Sequence, residues 1–176
     1  MAELNELNGI SPVEEIRITR VRDEYGWLSC MSPHPIEYQG ERYRTCEALF
    51  QCLRFLGYPE IQAEIRACPS PMGAKMKARK HQEKLGRGKL WDQADDDIDK
   101  MRLCLRLKFT QHPELQTQLI GTGDAEIIED CTTHDRESAR FWGAVRVNDE
   151  WVGENRLGRL LMEFREELQS SDEVNS

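Results

Sequence analysis

The amino-acid sequence predicts an α+β fold that is predominantly α-helical: a single compact domain with a few short strands. Three observations carry that prediction. Segments 45–56, 100–110 and 156–168 repeat apolar residues at a helical period and are bounded by capping or breaking residues. Strand-like alternation occurs only in short runs near the start, such as Glu15-Ile16-Arg17-Ile18-Thr19. No strand–helix alternation is visible and no Gly-x-Gly-x-x-Gly follows a strand, which disfavours a Rossmann fold.

Residues 1–14 read as a flexible N-terminus and 15–168 as the domain. After the first strand and a loop, Trp27-Leu28-Ser29-Cys30-Met31 leads into Ser32-Pro33-His34-Pro35. Ile36-Glu37-Tyr38 and Arg42-Tyr43 flank Gln39-Gly40-Glu41 as a tight hairpin, which delivers the chain to Thr45, the expected N-cap of the first helix. Gly57-Tyr58-Pro59 breaks that helix, and a second, Pro59 to Ala67, stops at Cys68-Pro69-Ser70-Pro71. From Lys75 to Lys89 the chain carries seven Lys or Arg against one acid, Glu83; from Asp92 to Asp99 it carries five aspartates. Lys100 to Thr110 is the next amphipathic helix, and Pro113 opens another that ends at Gly121. The last helix runs from about Arg156 to Leu168, and residues 169–176 read as a disordered tail.

With 176 residues, a formal charge of -8 and 39% hydrophobic residues, the chain fits one soluble globular domain and is too apolar for a disordered polyelectrolyte. No apolar run is long enough to cross a bilayer and Met1-Ala2-Glu3-Leu4 lacks the features of a signal peptide, so a cytoplasmic location is expected, with no membrane partner. Six cysteines stand singly, without Cys-x-x-Cys, in the manner of reduced buried thiols. The four histidines show no metal-ligand spacing, and neither a metal nor a cofactor is expected.

The most informative stretch is the first helix. Glu47, Gln51 and Arg54 lie at i, i+4 and i+7 on one face of an otherwise apolar, hence buried, helix. Buried carboxylate, amide and guanidinium groups are costly unless they pair or line a polar cavity, so the stripe is either an internal ion-pair network or a pocket wall. At a positive helix end, Glu47 suits a general base or a stabiliser of developing cation better than a general acid. Three weaker features accompany it. Gly121-Thr122-Gly123-Asp124 is either a helix terminus with its cap or a pocket turn. Phe141-Trp142-Gly143 offers a flat ring for stacking or for the core. Gly153 to Arg159 opens the last helix with Asn155 as the expected N-cap and Arg156 and Arg159 beside it, a serviceable phosphate site or an ordinary basic turn. Gly158 inside a helix suggests that something approaches closely there.

Taken together, Tyr25-Gly26-Trp27-Leu28-Ser29, the Pro35–Tyr43 hairpin, Cys46-Glu47-Ala48-Leu49-Phe50-Gln51, Ser70-Pro71-Met72, Leu105-Arg106-Leu107-Lys108-Phe109, the Gly121–Asp124 turn, Trp142-Gly143 and Asn155-Arg156-Leu157-Gly158 resemble the NADAR, or YbiA-like, family over roughly residues 20 to 168. The resemblance implies a mainly helical fold and hydrolysis of N-glycosidic bonds. Two substrate classes are associated with it: guanine bases carrying ADP-ribose, and phosphorylated ribosylaminopyrimidine intermediates of riboflavin synthesis. Family members also accompany DNA-modifying ADP-ribosyltransferase toxins as antidotes, so such a toxin is an expected functional partner. By similarity Glu47 is the catalytic residue, while Trp91, Trp142 and Asn155 to Gly158 are pocket positions. The sequence departs from the family pattern at Ala48, where a histidine is usual, at Cys30-Met31, which replaces Asn-Phe after Ser29, and at Ala139, where an aspartate is common.

An oxocarbenium-like transition state needs negative charge near the anomeric carbon, a positioned water and help for the leaving base. The expected assignment is Glu47 as the group that orients and deprotonates water. Arg54, Arg156 and the last helix N-terminus would hold phosphates, with Trp142 or Trp91 stacking on a base. Ser29, Gln51, Thr122, Asp124, Asn155 and Gly158 would complete the substrate-binding set, and Lys108 is one candidate for an imine with opened ribose. The basic segment from Lys75 favours ADP-ribosylated guanine in DNA over a small pyrimidine. A non-catalytic binder of ADP-ribose is the alternative from a different class, with Glu47 then a structural partner of Arg54.

Overall fold

The computed structural model describes residues 14–88 and 94–174. In order, the elements are β1 (Glu15–Ile18), β2 (Ile36–Tyr38), β3 (Glu41–Tyr43), α1 (Cys46–Arg54), α2 (Pro59–Arg66), α3 (Pro71–Lys80), α4 (Asp95–Gln111), α5 (Pro113–Gly121), β4 (Glu126–Glu129), α6 (Glu137–Trp142), β5 (Val145–Val147), β6 (Glu150–Val152) and α7 (Arg156–Val174), with short 3-10 turns between some of them. The helix-dominated α+β architecture expected from the sequence is what the chain adopts.

Every residue of α1 is buried, and α2, α3 and α4 pack around it. Thr45 caps it as expected, its Oγ1 accepting the Ala48 N–H at 3.2 Å. Around α1 the core runs through Leu49, Phe55, Phe109 and Leu161 to Ile127 of β4, which α7 covers. Two hairpins, β2–β3 and β5–β6, are antiparallel; β1 and β4 form a parallel pair in which Ile18 stands opposite Glu129. That pair brings residues far apart in sequence to one edge of the core.

Six elements depart from the sequence-based expectation. The basic segment opens with a regular helix, α3, capped by Ser70 Oγ accepting the Gly73 N–H. α4 begins at Asp95, ahead of the expected Lys100, because Asp95, Asp96 and Asp97 complement the positive end of the helix in its first turn. β4 and the β5–β6 hairpin were not expected at all. α7 does not stop at Leu168 but continues to Val174, through part of the segment read as a disordered tail. Among the described residues no helix is long and apolar enough to cross a membrane.

Candidate active site

A cavity of about 590 Å³ is walled by the N-terminal half of α1, residues 29–31, one face of α3, the end of β4 and the segment leading through α6. Glu47 is on its wall, only 4% exposed. Its Oε1 accepts the Gln51 Nε2–H at 2.7 Å and its Oε2 accepts the Cys30 thiol at 3.3 Å, while its backbone N–H donates to Cys30 O at 2.9 Å. Burial and the neighbouring Glu47 charge push the Cys30 pKa well above the ordinary thiol value, so Cys30 keeps the proton it donates. Both carboxylate oxygens of Glu47 therefore act as acceptors in a fixed orientation, as a group that aligns water requires.

The polar stripe of α1 divides between the two fates open to it. Glu47 and Gln51 line the cavity. Arg54 turns away: its Nη1 donates to Gln51 Oε1 at 3.2 Å and its Nη2 pairs with Asp97 Oδ2 at 3.1 Å, both side chains fully buried. Arg87 Nη1 reaches the same Asp97 oxygen at 2.8 Å. Arg54 is thus a member of an internal ion-pair network, one bond removed from the carboxylate it helps to orient through Gln51.

A second carboxylate faces the cavity, and sequence reasoning missed it. Glu129 ends β4, and its Oε2 is buried with no hydrogen-bond partner among the described residues. Burial raises its pKa from the ordinary 4.5 to about 7; the Lys75 charge opposes the rise and the Glu47 charge adds to it. Its position is built by the two motifs expected to touch substrate. Asn155 Oδ1 accepts the Glu129 N–H at 3.0 Å and its Nδ2 donates to Ile127 O at 2.8 Å, so the side chain clasps β4 and does not cap α7. A Cβ on Gly158 would collide with Ile127 O, and one on Gly143 with Glu129 O. Both glycines are needed because bare backbone lies against the strand that carries Glu129.

Of the other residues expected at the site, Ser29 and Trp142 line the cavity, Trp142 edge-on to Phe50 with ring centroids 5.5 Å apart. The other described ones lie elsewhere. Lys108 is fully buried and donates to Trp27 O, Ser29 O and Ser32 Oγ at 2.6, 2.9 and 2.7 Å, so it ties down the loop behind the cavity wall and does not line the cavity, where an imine would have to form. Arg156 pairs with Glu154 and lies over the Phe141 ring. Thr122 and Asp124 border a separate cleft beside Trp27, where Thr122 Oγ1 donates to Leu119 O and accepts from the buried Arg165. Trp91 lies outside the described residues.

The cavity recruits residues of α3 in place of these. Met72, Lys75, Met76 and Arg79 repeat at i, i+3, i+4 and i+7 and share the face that lines it, a spacing legible in the sequence once the segment is read as a helix. The basic run consequently does not act as one surface: Lys77 pairs with Glu64, and Arg87 with Asp96 and Asp97.

One carboxylate held as an acceptor and a second titrating near neutrality, on the wall of one cavity, are the equipment for acid–base chemistry at a sugar carbon. The chain belongs to the NADAR domain family, whose model matches residues 18–169. It is 36% identical over 146 residues to the N-glycosidase YbiA of Escherichia coli (strain K12), covering 83% of each chain. The NMR structure of E. coli YbiA superposes with a TM-score of 0.72 at 32% identity, covering 95% of this chain and 92% of that one. The chain is also 32% identical to the chloroplastic riboflavin biosynthesis protein PYRR of Zea mays, over 90% of its own length and 26% of the maize protein.

Proposed function

We propose that this chain is an N-glycosidase that cleaves the bond between ribose and a base nitrogen, and that ADP-ribosylated guanine is its substrate. The observation that carries the reading is Glu129, a half-buried residue whose buried Oε2 has no hydrogen-bond partner among the described residues and whose pKa is about 7, in the cavity that Glu47 lines. At neutral pH a substantial fraction of Glu129 is protonated and able to donate. As the C–N bond breaks, its electron pair goes to the base nitrogen, which takes the Glu129 proton. Positive charge grows on the anomeric carbon and is stabilised by Glu47, fixed by Gln51 and Cys30. Water adds its oxygen to that carbon and passes a proton to Glu47. Lys75 stabilises the Glu129 anion that remains, and exchange with solvent returns both carboxyls to their starting states.

A second reading, cleavage of a phosphorylated ribosylaminopyrimidine, is favoured by the likeness to the maize riboflavin biosynthesis protein. Incubation with an oligonucleotide bearing ADP-ribosyl-guanine and, separately, with the pyrimidine intermediate, followed by chromatography of the released base, decides between them. Release from the first is the expected result, and Glu47→Gln and Glu129→Gln should abolish most of it. Release from neither substrate would sink the proposal.

A further inference from the structure

One wall of the cavity, residues 29–31, belongs to a loop that is fastened from behind by groups able to change charge. Lys108 of α4 makes no ion pair with a described residue; its donors reach only neutral acceptors, Trp27 O, Ser29 O and Ser32 Oγ. Ser32 Oγ in turn lies 2.9 Å from Nδ1 of the half-buried His34. The His34 ring meets that of His112 edge-on, centroids 5.3 Å apart, and His112 Nε2 donates to Pro35 O at 2.7 Å. Between a lysine and a histidine, Ser32 has the partners of an activated nucleophile, but it is 1% exposed and does not line the cavity. Its contacts join the loop to α4 instead.

The charges around this fastening are unbalanced. α4 contributes Lys108 and His112, and the loop contributes His34. The loop's Cys30 and the Cys46 of α1 also face Lys108, but both thiols keep their protons: burial pushes the Cys30 pKa well above the ordinary value, and a hydrogen bond with Cys104 together with burial does so for Cys46. α5 supplies the one acid, Glu114, exposed and 3.5 Å from His112 Nδ1. That carboxylate is placed to offset an imidazolium at His112 and leaves the Lys108–Ser32–His34 side without a counter-ion.

We propose that residues 27–35 are held by a proton-operated latch: protonation of the His34–His112 pair, beside the Lys108 ammonium, releases the loop and with it the cavity wall. Cys30 donates to Glu47 Oε2 and its carbonyl accepts the Glu47 N–H, so release also frees the carboxylate that the loop orients. The direction follows from His34. Burial, helped by the Lys108 and His112 charges, holds its pKa below the ordinary 6.5, so an opened loop binds the proton more readily than a closed one. Closure is therefore fully favoured above pH 6.5 and weakens as pH falls below it. Lys108, with a pKa of about 8, stays charged throughout that window. The latch stands whatever reaction the cavity supports.

Hydrogen exchange of the full chain between about pH 7.5 and about pH 5.5, corrected for the intrinsic rate, tests it. The Ser32 and Glu47 amides donate to Ser29 O and Cys30 O, and their protection should fall at least about tenfold on acidification while α7 amides change little. In His34→Gln, whose side chain takes no proton, the fall should shrink to less than about twofold; in His112→Gln, which leaves His34 beside Lys108, it should be about threefold. A comparison that needs no variant is made in the wild-type protein by NMR. There the His34 ring-proton shifts should titrate with the same midpoint as the loop amides, below 6.5. Protection that does not change over this range, a loop midpoint apart from the histidine titration, or an undiminished fall in His34→Gln would overturn the proposal.

Discussion

At its C-terminal end α1 buries Arg54 against Asp97, and at its N-terminal end it buries Glu47 against an amide, a thiol and open space. The two centres are similarly withdrawn from water, yet only the Glu47 end opens on the cavity. Asp97 has Arg54 and Arg87 on one oxygen and Lys100 near the other, so its charge is consumed by the fold. Glu129 Oε2 lacks a hydrogen-bond partner among the described residues, as Asp97 Oδ1 does, but Glu129 forms no ion pair with a described residue and its pKa is displaced toward neutrality. Burial alone therefore does not mark a functional carboxylate; incomplete pairing beside a cavity does.

The largest expected effect is at the Glu47 end. Glu47→Gln should lower kcat by about 10³-fold or more, because the group proposed to act on the reacting water is lost, with product binding and Tm little changed in titration and thermal melts. Similar losses of stability and activity together would return Glu47 to the structural side of the comparison.

Arg54→Met should do the reverse. Leaving Asp97 short of a buried partner costs about 3 kcal/mol by chemical denaturation, while kcat per folded molecule falls only modestly through the loosened Gln51.

Glu129→Gln sharpens the contrast by splitting function from stability. It should reduce kcat about 10²-fold and erase the alkaline limb of the pH–rate profile near pH 7, the limb on which the acid loses its proton. The folded state holds the Glu129 proton between the ordinary 4.5 and about 7, where the unfolded chain has released it. Wild-type stability from this group thus falls as pH rises through that window. The amide carries no buried charge, so the variant should be more stable than wild type at pH 8, by about 2 kcal/mol, and should lose that advantage near pH 4.

Lys108→Met should cost about 2 kcal/mol, because Trp27 O and Ser29 O lose their donor. Burial lowers the Lys108 pKa from 10.5 to about 8, so the unfolded chain binds its proton more readily between those values and wild-type stability gains with pH there. The variant should lack that gain. Cys30→Ala, which removes one weak donor from Glu47, should have the smallest effect, a loss of kcat of about threefold that Cys30→Ser restores.

Much of the fold was legible. Thr45 as a cap, the buried α1, the β2–β3 hairpin and the helix bounded by Pro113 and Gly121 all follow from local rules. The misses have local reasons as well. Glu126-Ile127-Ile128-Glu129 does not alternate, because Ile127 and Ile128 are buried on opposite sides of the strand, and its partner β1 is far away in the chain. The β5–β6 hairpin does carry a local signal, Asn148-Asp149 between alternating residues, both at positive φ. At the site, the Glu47 stripe was visible from spacing. Asn155 and Gly158 read from the sequence as substrate contacts; in the structure they, with Gly143, lie against the strand that presents Glu129.

The sequence by itself determined that a buried helix would carry a polar stripe, since helical periodicity is local and an unpaired buried charge is too costly to be accidental. Only the tertiary structure decided how that stripe divides. Whether a buried group finds a counter-ion or a cavity depends on what other elements bring to it: α4 brings Asp97 to Arg54, and the β1–β4 pairing brings Glu129 to the cavity that Glu47 lines. Those meetings cross long stretches of chain, and no local rule of spacing encodes them.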